Sequence, residues 1–403
     1  MDGVVRVKFS MLLMTLILVL TPLTSLPIDS TTLDSDTIEN NAVTKAQTTW
    51  SGLIELAESY TVSVTDELVI SPCTTVELSA STRLFVEGRL IVQGNNSCPV
   101  VFSQLGTGLH YGIQFNSSSS GRGSIIENIT IEDATYGITV YGSDPQINNV
   151  TITNPSRVGI DLFSAANPII HDLTINQAGK GFTYADWRYG LGLSVGAGST
   201  PIVERATMTD LRIRGLNIWG SSGGIYQDIN IDNVTAEGAS AISAGVWVED
   251  SQPLITDLSV DKSDYGILIR HVSDGGFTRA VVRDCIVTNS MYRGIYVDKA
   301  NHTNFTNYET ADFTNTIVRG TGGPNAKTAG IGFAAIEVNA TGAWFENTTV
   351  EDSTTVGVRL YFVDASTTFR NLTITDSGDP GQGAHEAGLA IRSSFFAPSF
   401  ENL

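Results

Sequence analysis

The chain has 403 residues, of which 41% are apolar and 16% charged, and its formal net charge is −19. A field of that sign repels nucleic acid and anionic lipid headgroups, so both are excluded as partners. The abundance of Gly, Ser, Thr, Asn and Val favours β structure broken by many turns.

At the N-terminus, Arg6 and Lys8 precede an apolar run from Met11 to Leu20, followed by Thr21-Pro22 and small residues. This pattern reads as a secretory signal over residues 1–27, and the run is too short for a transmembrane span. Residues 28–48 are polar and acidic and read as a flexible leader. Together they predict a secreted or cell-surface protein with no membrane insertion after cleavage. Of the three cysteines, Cys73 and Cys98 fall one repeat apart, and an exported protein can join them in a disulfide. Cys285 falls at an inward apolar position and reads as a buried thiol.

From residue 126 to the end one pattern recurs: a bulky apolar residue, any residue, Asn or Asp, an apolar residue or Thr, any residue, then Ile or Val. Ile126-Glu127-Asn128-Ile129-Thr130-Ile131 is the first clear copy, and others centre on Asn149, Asp172, Asp210, Asp228, Asp257, Asp284, Asn315, Asn347 and Asn371. The interval is widest between Asp172 and Asp210 and narrowest between Asp210 and Asp228. In each copy the outer residues alternate as in a strand. Two successive inward positions flank the Asn/Asp, which demands a sharp corner, and these residue types tolerate the left-handed backbone such a corner uses. Stacked Asn side chains can also hydrogen-bond along the stack. A second motif, Gly-apolar-x-apolar, follows most copies, as in Gly137-Ile138-Thr139-Val140, Gly159-Ile160-Asp161-Leu162 and Gly294-Ile295-Tyr296-Val297. Pro often opens the next strand, as at Pro145, Pro168, Pro201 and Pro253. One turn is therefore strand, corner, strand, loop, strand, loop, with roughly 20–30 residues per turn, as in a solenoid. Phe400-Glu401-Asn402-Leu403 begins another copy and stops, so the chain is expected to end inside a coil, as a truncated frame would.

These residues resemble the right-handed parallel β-helix repeat family of the pectin-lyase-like superfamily. The resemblance spans roughly residues 50–403 and includes Leu84-Phe85-Val86 and Tyr111-Gly112-Ile113-Gln114-Phe115. It implies an all-β fold, a right-handed single-stranded parallel β-helix of three-strand coils over residues 49–403. It also implies that ligand lies along the sheet of Gly-apolar-x-apolar strands. The x positions there run Gln114, Thr139, Asp161, Asn217, Trp247, Leu268, Tyr296, Glu337, Arg359 and Ala390, and the x+2 positions run Asn116, Tyr141, Phe163, Trp219, Glu249, Arg270, Asp298, Asn339, Tyr361 and Arg392. Both columns are expected to face outward, and aromatic faces suit sugar rings. Tyr141, Phe163, Trp219, Trp247, Tyr296, Arg359 and Tyr361 are the candidate ligand-binding residues, with Trp187 from the long loop of residues 177–189 overhanging them.

Glu249, Arg270 and Asp298 are the candidates for acid–base chemistry. Stacked on three coils, the two carboxylates would stand about 9–10 Å apart, in the range of inverting glycosidases. Arg270 between them fits a charge ladder equally well. The Asp-Asp pair and Gly-His-Gly element of the family's pectin hydrolases do not occur here. The leading expectation is thus a non-catalytic β-helix that binds polysaccharide or another surface polymer along the aromatic face. The alternatives are a polysaccharide lyase or glycoside hydrolase using the same face, and a passive stalk or adhesin segment. No cofactor or resident metal is expected. Ca²⁺ is the cation that an acidic, Asn-rich surface would take, although no EF-hand loop supports it.

Overall fold

In a computed structural model of the chain, the described residues are 46–181, 188–236, 242–272, 278–299, 311–322, 334–354, 356–378, 387–392 and 397–403. Residues 1–45, which hold the segment read as a signal and most of that read as a leader, lie outside them, as does Trp187. The first described strand, Gln47–Trp50, already begins within the segment read as leader.

The described residues form two sheets, of 17 and 13 strands, in which each strand pairs with the equivalent strand one coil away. The pairings between strands are all parallel. Helix is confined among the described residues to a 3-10 turn at Ser117–Ser119. The stacked coils are those of a right-handed β-helix.

The coils come in two forms. Before residue 125 a coil has three separate strands, such as Glu67–Ile70, Thr75–Leu78 and Leu84–Val86. From Ile125–Glu132 onward the first two merge into one bent strand of eight to ten residues. The bend is the Asn/Asp corner. Asn128 and Asn149 have φ of 52° and 50° and drop out of the strand register, which pairs Glu127 with Asn148 and resumes at Ile129 with Val150. Towards the C-terminus the corner amides form a ladder: Asn315 Nδ2 donates to Asp284 Oδ1 (2.8 Å), Asn347 to Asn315 (2.9 Å), Asn371 to Asn347 (2.8 Å) and Asn402 to Asn371 (2.8 Å).

One corner differs from the expected register. The partner of Asp172 in the next coil is Arg205, not Asp210: His171 pairs with Glu204 and Leu173 with Ala206, and Arg205 has φ 58°. Met208-Thr209-Asp210-Leu211-Arg212-Ile213 imitates the corner pattern, but Asp210 (φ 56°) turns the chain at a second corner, where the bent strand ends. That second corner has its own column, including Asp133, Asn154, Gln177, Asn233 and Asn289, all at positive φ. Arg205 instead closes its corner by ion-pairing Asp172, with Nε–Oδ1 at 2.6 Å.

The interior is mostly apolar. Leu90, Val92, Phe102, Ile126, Ile147 and Ile170 are wholly buried, and Phe313, Phe345 and Phe369 stack with centroids 4.9 and 4.7 Å apart. Each such ring pair adds about 0.5–1.5 kcal/mol to its burial. The glycine of Gly-apolar-x-apolar is required by close approach: a Cβ on Gly159 would lie 2.6 Å from Ile175 Cδ1 and 2.8 Å from the Gly192 carbonyl oxygen. Cys73 and Cys98 form a disulfide across the corner loops of two successive early coils, with Cα atoms 4.8 Å apart. Cys285 is buried and unpaired, with its thiol pushed up to about 12 by burial.

Candidate functional site

The outer face of the thirteen-strand sheet is built from the x and x+2 positions. The expected columns skip one strand. Leu191–Val195 lies between Val158–Phe163 and Arg214–Trp219, and its register pairs Ser194 with Asp161 on one side and Asn217 on the other. Gly196 follows it, at the x+2 level between Phe163 and Trp219.

This insertion decides the shape of the face. Tyr141 stacks on Phe163 with centroids 5.4 Å apart, and Phe163 meets the edge of Trp219 at 6.2 Å. The second contact spans two coils, so Trp219 must lean back across the intervening one. It can do so because Gly196 has no side chain: a Cβ there would lie 2.4 Å from Trp219 Cε2. The three rings form one wall of an open cleft of about 850 Å³. Tyr136, Val158 and Leu191 line it on the far side of the x column, and Arg83, Gln114 and Asn116 line one end. Arg83 is held there by stacking over Tyr111, 4.5 Å from the ring centroid, and by donating to Gln114.

Asp161 stands in the cleft floor between Thr139 and Ser194. It is only 5% exposed, and its Oδ1 has no hydrogen-bond partner. Burial pushes its carboxyl up to about 7, against a smaller lowering by a hydrogen bond with Ser194. The Trp219 indole Nε1 is likewise buried without an acceptor. Asp161 was legible as an x-column residue but not as a site residue, because its burial depends on neighbours that the sequence does not place beside it.

The remaining candidates lie further along the same sheet, and several are covered by neighbouring side chains. Trp247 is 5% exposed, not an open platform. The Arg214 guanidinium covers its ring at 3.7 Å, and Arg270 approaches at 5.5 Å. Burial draws Arg214 down to about 10, opposed by Glu249 and assisted by Arg270. Arg359, with a side chain 6% exposed, is taken up by an ion pair to Glu337 Oε2 at 3.2 Å, and Arg293 Nε meets the same oxygen at 3.0 Å. Tyr296 is half-buried beneath Arg293, whose guanidinium lies 4.6 Å from its ring centroid. The outward x column is therefore mostly buried by its own long neighbours. Tyr361 stays half-buried at the x+2 level, paired in register with Arg392.

Glu249, Arg270 and Asp298 do occupy successive coils in register. Glu249 accepts from Trp247 Nε1 at 3.3 Å, and Asp298 accepts from Asn339 Nδ2 at 3.1 Å. Burial raises the Asp298 carboxyl, opposed by a hydrogen bond from Tyr296, the Arg270 charge and the Asn339 amide. Among the described residues, no group of three or more His, Cys, Asp or Glu is placed to hold a metal ion.

No curated protein matches the chain significantly. Solved structures with low similarity include the catalytic domain of a GH87 alpha-1,3-glucanase in complex with nigerose, at 12% identity and TM-score 0.43, covering 88% of this chain and 62% of that one. The Dettilon tailspike protein matches at 12% identity and TM-score 0.44, covering 86% and 62%. An alginate lyase from Paenibacillus sp. str. FPU-7 matches at 15% identity and TM-score 0.31, covering 87% and 97%. The chain thus spans 62% of the length of the first two. The family model for the right handed beta helix region matches residues 111–309 and 244–396, most of the chain, and the protein belongs to that family.

Proposed function

We propose that this β-helix works outside the cytoplasm and binds polysaccharide in the cleft over Asp161, without cleaving it. The observation that carries the reading is the aromatic wall of Tyr141, Phe163 and Trp219 beside an open cleft of about 850 Å³ with a polar floor. Flat rings beside hydrogen-bonding groups suit a sugar, which has an apolar face and polar edges. The Cys73–Cys98 disulfide supports an oxidising compartment, as does the signal-like N-terminal sequence. In this reading Glu249, Arg270 and Asp298 serve as a structural charge ladder, each held by neighbours on the sheet.

Glycan cleavage is the second reading, favoured by the raised Asp161 carboxyl, which suits a general acid. Hydrolysis of the usual kind needs a second carboxylate. Asp161 is the one carboxylate among the described residues lining the cleft, and this supports binding over cleavage.

The test is a glycan array on the purified protein, followed by titration calorimetry and a reducing-end assay on each hit. Trp219→Ala and Phe163→Ala should each weaken binding about tenfold, the size of one lost stacking contact, with no new reducing ends from the wild type. Unchanged affinity in both variants removes the cleft from the reading, and new reducing ends replace binding by hydrolysis.

A further inference from the structure

Two residues that line the cleft each carry a buried polar atom without a partner, Oδ1 of Asp161 and Nε1 of Trp219. They are complementary in kind, since one is a carboxyl oxygen and the other an N–H donor. Their placement is coupled. Trp219 lies two coils beyond Asp161 but leans back over Gly196, in the coil of Ser194, the register neighbour of Asp161. The indole is therefore displaced from the carboxyl by about one coil spacing, 4.8 Å, along the axis, plus the step from x to x+2. Phe163, two residues beyond Asp161 on the same strand, carries the ring that Trp219 meets at 6.2 Å.

A sugar hydroxyl is both donor and acceptor. A ring stacked on Phe163 can donate from one hydroxyl to Asp161 and accept at another from Trp219. Resting on the glycan reading above, we infer that the cleft selects an uncharged saccharide, that Asp161 and Trp219 are its specificity-determining residues, and that binding expels a proton from Asp161. Net charge argues for the uncharged ligand, since a chain at −19 repels polyanionic glycans as it repels nucleic acid.

The proton linkage follows from geometry first. A deeply buried carboxyl with a free oxygen is stabilised in its neutral form when the site is empty. Hydroxyl donors arriving at that oxygen favour the charged form. Burial holds the empty site at about 7, so the exchange falls near neutral pH. The groups facing Asp161 from the flanking strands are Thr139 and Ser194, which do not titrate in this range. The titratable groups elsewhere on the cleft are Arg83, Arg188, Tyr136 and Tyr141. Arg157, at the start of the same strand, donates to the Tyr136 and Tyr189 hydroxyls.

The experiment is titration calorimetry of the full secreted chain with neutral hexasaccharides (β-1,3-, β-1,4- and α-1,3-glucan, and β-mannan) and with hexagalacturonate. Measurements run from pH 5.5 to 8.5, and at pH 7 in two buffers of different ionisation enthalpy. The expected result is a neutral ligand bound about tenfold more tightly at pH 8 than at pH 5.5, the effect of a one-unit fall in the bound carboxyl. Protons should be released in the two-buffer comparison, which needs no variant. Asp161→Asn should flatten the pH profile, and Trp219→Phe should lower affinity while keeping the slope. Tighter binding of the galacturonate, or an affinity that is flat or falls with pH in the wild type, overturns the inference and leaves the glycan site standing. Binding of neither class overturns both.

Discussion

Single residues set the main features of this molecule, and Asp161 shows the cost of one. Its carboxyl ordinarily titrates near 3.8 and is raised to about 7 in the folded chain. Below pH 3.8 it is neutral folded and unfolded, and contributes nothing to the pH dependence of stability. Between the two values the unfolded chain gains charge that the folded site resists, so stability falls as pH rises. Above about 7 the loss is complete and constant. Asp161→Asn removes this term. It should raise the melting temperature at pH 8 and leave it unchanged at pH 3.5, measured by calorimetry of both proteins in matched buffers. An equal shift at both pH values would show that the variant acts through packing rather than ionisation. A residue that costs stability at working pH, and sits in a cleft, is the usual mark of function retained against folding. The corner residues are the opposite case, since Asn315, Asn347 and Asn371 meet the backbone demand and bond each other.

At the scale of the element, the short strands carry the site and the bent strands carry the fold. The bent strands were legible because their corner needs a particular backbone, and few residue types supply it. The exception is instructive: Arg205 occupies a corner at φ 58°, stabilised by an ion pair to Asp172, and no local pattern announces that. The short strands were legible as strands but not as a surface. Trp247 and Arg359 read as outward, and Arg214 and Glu337 bury them; such cover comes from adjacent coils, at sequence distances that vary with each loop. Leu191–Val195 carries the motif as Gly192-Leu193-Ser194-Val195 and went unseen because the long loop of residues 177–189 sets it far behind its corner at Asp172. Gly196 is nonetheless what lets the aromatic wall close. Gly196→Ala should displace the indole, since no Cβ can remain 2.4 Å from Cε2. Gly196 is buried and its N–H donates to the Leu162 carbonyl at 2.9 Å, so the variant should also lose about 1–3 kcal/mol of stability, as overpacking does. The near-ultraviolet dichroism of Trp219 should change, by difference from Trp219→Phe, and glycan affinity should fall about as far as in Trp219→Ala. Retained affinity would mean that the wall is not used.

Over the whole molecule, a solenoid has no single core to lose. Apart from reaches such as Trp219 to Phe163, each coil contacts its neighbours, so stability is close to a sum of coil and interface terms. The N-terminal coils are the less regular ones, with separate strands where later coils have bent strands, and the corner amides of Asn128 and Asn149 reach back to Gly94 and Asn96 in the last of their corner loops. The Cys73–Cys98 disulfide lies there, closing a loop of sequence separation 25. By chain entropy such a loop is worth about 3 kcal/mol. Because the cross-link joins two adjacent coils, that stabilisation should be local. Replacing both cysteines with serine should speed amide hydrogen exchange in the strands from Gln47–Trp50 to Val100–Gln104 and leave exchange in Thr368–Thr375 unchanged. The two regions are joined through one continuous apolar stack, so the alternative is a single cooperative unit. If the double variant raised exchange equally along its length, the stack would unfold as one body, and the cleft near the middle would be exposed with it. If the change stays N-terminal, Arg83 and Gln114 at the end of the cleft loosen first, while the wall of Phe163 and Trp219 keeps its place.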